Sequence, residues 1–333
     1  MSSQITATSI ALPNRVVTNK EIAKQIGLTE NEIEKKTGIL TRHWIEKGET
    51  TGTLAIAAAK SALEPSGLKP DQIDLIVVST SSPDMAFPSV ACLVQKEITH
   101  RAIPAFDINA SCSGFLYALS VGDQYIQSGR AQNVLIVASE VKSVYLDKND
   151  PQTASLFGDG AGAVILSGSK DNQQKRGIVA IKLGAGGPPK QLITLPAGGS
   201  RLPLSKESLQ QGQHYMKMEG TRLFRLAVSK MGEVVTSLLK ENKIALEEID
   251  LFLFHQANLR ILETVLKKQA IPVEKTHTVI QKYGNTSSAS LAIALHDAVT
   301  AGRIKQGDRL ALFAFGGGFT WGYALIDWSG GRR

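Results

Sequence analysis

The strongest constraint on this chain is an internal repeat. IDLIVVST starts at Ile73 and IDLFLFHQ at Ile249, an offset of 249 − 73 = 176 residues. NASCSGFLYAL starts at Asn109 and NTSSASLAIAL at Asn285, and 285 − 109 is again 176. The same shift lays Val134-Leu-Ile-Val on Leu310-Ala-Leu-Phe. Three segments in one register describe two diverged copies of a single βα-rich unit.

Composition supports a layered α/β fold. With 333 residues the chain can bury a large core, and 43% hydrophobic but only 6% aromatic residues make that core aliphatic. Short continuous apolar runs such as Leu75-Ile-Val-Val, Val134-Leu-Ile-Val-Ala and Leu251-Phe-Leu-Phe read as strands buried on both faces. Helical spacing is found over 53–63, 115–127, 222–239, 259–268 and 290–301. The Gly- and Pro-rich stretch 184–203 places the boundary between the halves, giving units 1–183 and 184–333.

Chemistry concentrates where the copies differ. Cys112 lies where a strand-like run gives way to a small-residue turn and then a helix. Free N–H groups and the positive end of a helix dipole at such a place stabilise a thiolate, so a thiol pKa below ~8.5 is expected there. Read alone, Cys112 is more readily a small packing residue than a nucleophile, and it needs partners to be read otherwise. In the repeat register Ser288 takes the Cys position, and the strand end Val78-Ser79 has Phe254-His255 as its counterpart. If the halves pack about a pseudo-twofold axis, Cys112, His255 and Asn285 meet in one cleft. Taken singly, Asn285 could instead cap the following helix and His255 could be a core histidine.

Two glycine-rich segments flank strands: FGDGAGAVIL at 157–166 and FGGGFTWG at 315–322. Neither fits a P-loop or a dinucleotide fingerprint. The first reads as tight backbone packing or function with equal ease. In the second, an exposed N–H beside that of Cys112 would form an oxyanion hole.

Several classes are set aside. Two cysteines cannot form a disulfide framework, and no Cys or His pair has zinc-ligand spacing, so no metal is expected. No signal peptide or bilayer-length apolar run is read, which makes the cytoplasm the expected compartment and a membrane partner unexpected. A net charge of +7 lacks the basic runs and interleaved aromatics of nucleic-acid binding and suits an acidic protein or a phosphate-bearing substrate as well.

The motifs NASCSGF, FGDGAG, HQANLR, GNTSSAS and FGGGFTWG, in this order, resemble the 3-oxoacyl-[acyl-carrier-protein] synthase III family of the thiolase superfamily, from roughly Ile5 to Trp328. The resemblance implies a thiolase-like fold in which two halves form a five-layered αβαβα core, and an obligate homodimer. It also implies a catalytic triad of Cys112, His255 and Asn285, with the N–H groups of Cys112 and Gly317 as oxyanion hole. The implied reaction is a decarboxylative Claisen condensation. An acyl primer on coenzyme A or on a protein is transferred to Cys112 and then joined to malonyl-acyl carrier protein, with coenzyme A thioester as substrate and no cofactor.

Further residues follow from the same likeness. Phe87 is similar to the residue that closes an acyl pocket, often that of the partner subunit. Lys36 and Gly220 are candidate contacts to the coenzyme A arm. Arg225, Arg260, Lys267 and Lys268 read either as solvated charge or as a ridge that docks the acidic carrier protein. Members that use acetyl-CoA typically sandwich its adenine between a tryptophan and an arginine. This chain has Glu32 and Pro151 at those places, and Thr221 where an asparagine often contacts pantetheine. A primer other than ordinary acetyl-CoA is therefore expected. Two alternatives stay open: a condensation of the type III polyketide synthase kind, using malonyl-CoA, and a non-catalytic subunit of a synthase heterodimer. A thiolase is disfavoured, because FGGGFTWG carries no second thiol.

Overall fold

The computed structural model describes residues 2–169, 177–187 and 192–330. Among these residues nine strands form two large sheets. The first sheet contains β1 (Ser2–Ala11), β2 (Leu75–Ser79), β3 (Ala105–Ile108), β4 (Asn133–Glu140) and β5 (Gly160–Ser169), in the order β1-β5-β4-β2-β3. The second contains β6 (Gly177–Ala185), β7 (Leu251–Phe254), β8 (Arg309–Gly316) and β9 (Thr320–Asp327), in the order β6-β9-β8-β7. In each sheet the edge strand, β1 or β6, pairs antiparallel with its neighbour, that neighbour pairs antiparallel with the next strand, and the following pair, β4 with β2 or β8 with β7, is parallel.

The 176-residue register holds at the level of backbone. β4 runs 133–140 and β8 runs 309–316, a shift of 176 at both ends. Ser111 and Ser287, also 176 apart, both have left-handed backbone, with φ of 49° and 52°. Such angles are uncommon outside glycine and asparagine, so their recurrence marks the same sharp turn in each copy.

Alternation along the strands builds the layers. Leu75 and Val77 of β2 and Leu251 and Leu253 of β7 face a shared core with α4 (Gly114–Gln127) and α7 (Ala289–Thr300), the helices that follow the two turns. Ile76 and Val78 face outward onto α2 (Thr51–Ser66) and α3 (Val90–Ile98). Phe252 and Phe254 face outward onto α5 (Gly220–Asn242) and α6 (Leu259–Lys268). The order is helices, sheet, central helix pair, sheet, helices, which is the expected five-layered αβαβα arrangement. A further short helix, α1 (Glu30–Thr37), lies near the start of α6.

The boundary read at 183/184 cuts through β6, which pairs along its length with β9 of the second sheet. Residues 188–191 of the Gly- and Pro-rich boundary stretch lie outside the described residues. Among the described residues no helix is long and apolar enough to cross a membrane, and no cluster of three His, Cys, Asp or Glu side chains could hold a metal.

Candidate active site

The strand ends and the two sharp turns converge. Cys112 sits in a single 3-10 turn, Ser111–Ser113, directly before α4. The β8–β9 hairpin is fastened to this turn from the other half: Thr320 Oγ1 donates to Ala110 O at 2.8 Å and Ser113 Oγ to Thr320 O at 3.1 Å. Gly316 makes the closest approach. A Cβ there would stand 2.6 Å from the Cys112 nitrogen and 3.0 Å from that of Ser113, so only glycine fits. Neighbouring Gly317 lies beside Ser111, where a Cβ would be 3.3 Å from the Ser111 hydroxyl oxygen.

His255 follows β7 and is 2% exposed. Its Nδ1 is 2.6 Å from Ser290 Oγ, which also accepts the Gln256 N–H at 3.2 Å. Burial pushes the imidazole down to about 3, only partly opposed by Glu140, so the ring is neutral at pH 7. Asn285 is held by its backbone, whose N–H donates to Leu156 O at 2.9 Å and whose carbonyl accepts from Gly158 N–H at 3.0 Å. Its Oδ1 accepts the Ser287 N–H at 2.9 Å, and Nδ2 points toward Ala257 O at 3.4 Å. The turn-capping bond and a place in the cleft thus coexist in one side chain.

Cys112, His255 and Asn285 line a single cavity of about 640 Å³, together with Gly316 and Gly317. Much of its remaining wall is apolar, including Leu28, Leu156, Ile193, Met218, Leu223 and Phe224. Such a chamber suits an acyl chain, with a few polar groups to orient its reacting end.

The thiol does not behave as its position before a helix implies. Burial pushes Cys112 up to about 11 rather than down. The residue precedes the cap of α4 by one position, and the protein packed around the sulfur disfavours its charged form more than the Ser287 contact, Lys142 and its own backbone N–H favour it. Ser287 Oγ lies 3.4 Å from Sγ.

Comparison with known proteins decides the lineage. Residues 106–187 match the family model described as 3-oxoacyl-[acyl-carrier-protein (ACP)] synthase III, and residues 239–328 match its C-terminal counterpart. A beta-ketoacyl-[acyl-carrier-protein] synthase III of Xanthomonas campestris is 42% identical over 324 residues, covering 97% of this chain and 98% of the relative. The chain belongs to the 3-oxoacyl-[acyl-carrier-protein] synthase III family. The crystal structure of the synthase III of Aquifex aeolicus superposes with a TM-score of 0.89 at 40% identity, over 98% of this chain and 100% of that one. The priming beta-ketosynthase of the R1128 polyketide pathway does so with 0.89 at 30% identity, over 98% and 96%.

Against that synthase III frame the other expected residues divide. Lys36, Gly220 and Arg225 line the cavity, as do Pro151 and Thr221. Phe87 does not line it and is 84% exposed. Lys267 and Lys268 are exposed in the last turn of α6. Arg260 is differently engaged: its guanidinium donates to Lys35 O at 2.8 Å and Glu34 O at 3.3 Å and pairs with Glu263 at 2.6 Å, clamping the end of α1 to α6. Glu32 completes a capping box with Thr29, accepting the Thr29 N–H and hydroxyl at 2.8 Å each. Its acidic side chain is thereby explained by the helix it starts.

Four residues of the site escape a reading of motifs. Gly316 rather than Gly317 backs the Cys112 amide, and Ser290 holds His255. Ser287 reaches the thiol, and Glu140 lies behind it. The 176-residue register does flag them, since Gly316 is the counterpart of Glu140, Ser287 of Ser111 and Ser290 of Gly114.

Proposed function

We propose that Cys112, His255 and Asn285 are the catalytic triad of an enzyme that condenses an acyl primer with malonyl-acyl carrier protein to give 3-oxoacyl-acyl carrier protein. The observation that carries this reading is the convergence of the three side chains on one apolar cavity, from a nucleophile turn in one half and a strand end and turn in the other.

In the first stage the Cys112 sulfur forms a bond to the primer's thioester carbonyl. The backbone N–H groups of Cys112 and Gly317 receive the oxyanion, each such donor being worth about 3 kcal/mol. Collapse breaks the bond to the carrier sulfur, which takes up the proton given up by the Cys112 thiol and leaves as a thiol, and an acyl-Cys112 remains. In the second stage the malonyl group loses carbon dioxide, and the bonding pair becomes an enolate. Asn285 Nδ2 and His255 Nε2 donate to its oxygen. The neutral ring suits this role in the tautomer where Ser290 Oγ, 2.6 Å from Nδ1 and accepting the Gln256 N–H, gives its own proton to Nδ1 and leaves the ring proton on Nε2. The enolate carbon attacks the acyl carbonyl and Cys112 departs.

The chain acts in this reading as a cytoplasmic homodimer, with exposed Phe87 entering the partner's acyl pocket, and Arg225, Lys267 and Lys268 receiving the acidic carrier protein. With Glu32 committed to its capping box and Pro151 at the cavity wall, the primer is a longer or functionalised acyl group, or one borne by a protein, rather than ordinary acetyl-CoA. The test is a product assay on acyl-primed enzyme. Carbon dioxide and 3-oxoacyl-carrier protein from malonyl-carrier protein, with little turnover of malonyl-CoA, are expected. Turnover of malonyl-CoA alone would replace this reading with the polyketide-type one.

A further inference from the structure

The duplicated architecture contains a second version of the place where Gly316 meets the Cys112 turn. By the same symmetry the end of β4 meets the Ser287–Ser288 turn, and there the residue is not glycine but Glu140, 0% exposed. Its carboxylate fills the space that Gly316 leaves open on the catalytic side.

Glu140 is saturated with donors. Oε1 accepts from Ser288 Oγ at 2.8 Å, Ser81 Oγ at 3.0 Å and Ser287 Oγ at 3.2 Å, and Oε2 from Ser82 Oγ at 2.6 Å. Lys142 Nζ, itself nearly buried, lies 2.9 Å from Oε2. Burial works against the carboxylate, yet Lys142 and the serine donors hold it below the usual range, so it is ionised. An ionised carboxylate only accepts hydrogen bonds, and a serine hydroxyl has one proton. In its 3.2 Å bond to Oε1, Ser287 gives its proton to Glu140 and offers Cys112 only a lone pair. With the Ser287 proton on Glu140, the 3.4 Å contact runs from the thiol S–H to Ser287 Oγ.

We infer that Glu140, acting through Ser287, is a positioning residue that holds the nucleophile as an oriented thiol until an acyl donor fills the cavity. A thiolate at Cys112 would face the Ser287 oxygen with no proton between them. Burial pushes the thiol up to about 11 and Glu140 adds to this, whereas a Ser287 hydroxyl turned toward the sulfur would oppose it, so the sign of the Ser287 effect separates the two orientations. The charged and titratable groups facing the network are Lys142 beside Glu140, His255 across the cavity, and Asp159, which accepts the Lys142 N–H at 2.7 Å. Tyr145 faces Lys142 and Glu140 as well, and itself feels Asp84.

The inference rests on Cys112 as nucleophile, but its test reads the thiol without turnover, so failure of the proposed reaction and failure of the lock are separable. Alkylation of Cys112 by iodoacetamide is followed by peptide mass spectrometry, which counts exposed Cys92 separately, between about pH 7 and 11. Glu140→Gln is expected to lower the midpoint by about one unit, roughly a tenfold gain in rate below it. Ser287→Ala is expected to lower it as well, and the double variant to add little to the larger single effect. A higher midpoint in Ser287→Ala would overturn the inference, because Ser287 would then be a donor to the thiolate. So would an undiminished Glu140→Gln effect in the Ser287→Ala background, which would mean charge acting through space, or faster alkylation with the midpoint unmoved. Should Glu140→Gln not fold, the sign of the Ser287→Ala shift decides alone.

Discussion

Acid should weaken this fold through one identifiable histidine. His255 is 2% exposed and its folded-state pKa is pushed down to about 3, against about 6.5 for an unfolded chain. The folded state therefore resists a proton that the unfolded chain accepts. Stability from this group is full above about pH 6.5, declines as pH falls through that value, and levels off below about 3. At about pH 5 the unfolded histidine is protonated and the folded one is not, a gap of about 1.5 units or about 2 kcal/mol. His255→Gln removes the group while retaining a partner for Ser290. Urea denaturation of both proteins, followed by circular dichroism at about pH 7.5 and about pH 5, gives the acid-induced loss for each. The wild type should lose about 2 kcal/mol more than the variant, since the remaining acid-sensitive groups are common to both. Equal losses would mean that His255 is protonated in the folded protein. The neutral Nε2–H donor assigned to the second stage would then be wrong.

Gly316→Ala places a methyl 2.6 Å from the Cys112 nitrogen, and the turn must shift. A stability loss of about 1–3 kcal/mol and a fall in acylation rate of about a hundredfold are expected, read by denaturation and by single-turnover mass spectrometry. An active, unshifted variant would remove the Cys112 amide from the oxyanion role. Thr29→Ala breaks the capping box of α1 and should cost about 1 kcal/mol in stability while leaving acyl-CoA affinity unchanged. A change in that affinity, measured by calorimetry, would return Glu32 and its neighbours to the substrate's path.

The duplication makes much of this architecture legible. Because β4 and β8, and the turns at Ser111 and Ser287, recur at one offset, the strand ends carrying His255 and the turns carrying Cys112 and Asn285 are placed before any coordinates are known. What stays hidden depends on contacts between distant side chains. Glu140 closes an apolar strand, and its partners Ser287 and Ser288 lie 147 and 148 residues away, so no local pattern reveals the bonds. The raised thiol pKa is hidden for the same reason, since a helix start is visible in the sequence while the protein enclosing the sulfur is not. Glu32 is a different case. The Thr29-x-x-Glu32 spacing of a capping box is present in the sequence, and likeness to a substrate contact draws attention away from it. Arg260 likewise reads as free charge because the α1 carbonyls that occupy it are more than 200 residues away, at separations of 225 and 226.

The central claim is that Cys112 carries the acyl group, and intact-protein mass spectrometry tests it most directly. The protein and its Cys112→Ser variant are incubated with a panel of acyl-CoAs and acyl-carrier proteins without malonyl donor. The account predicts a single acyl increment on the wild type from longer or protein-borne primers, weak or absent labelling from acetyl-CoA, and none on the variant. Labelling that persists in Cys112→Ser, or a wild-type protein that no donor labels, would contradict it.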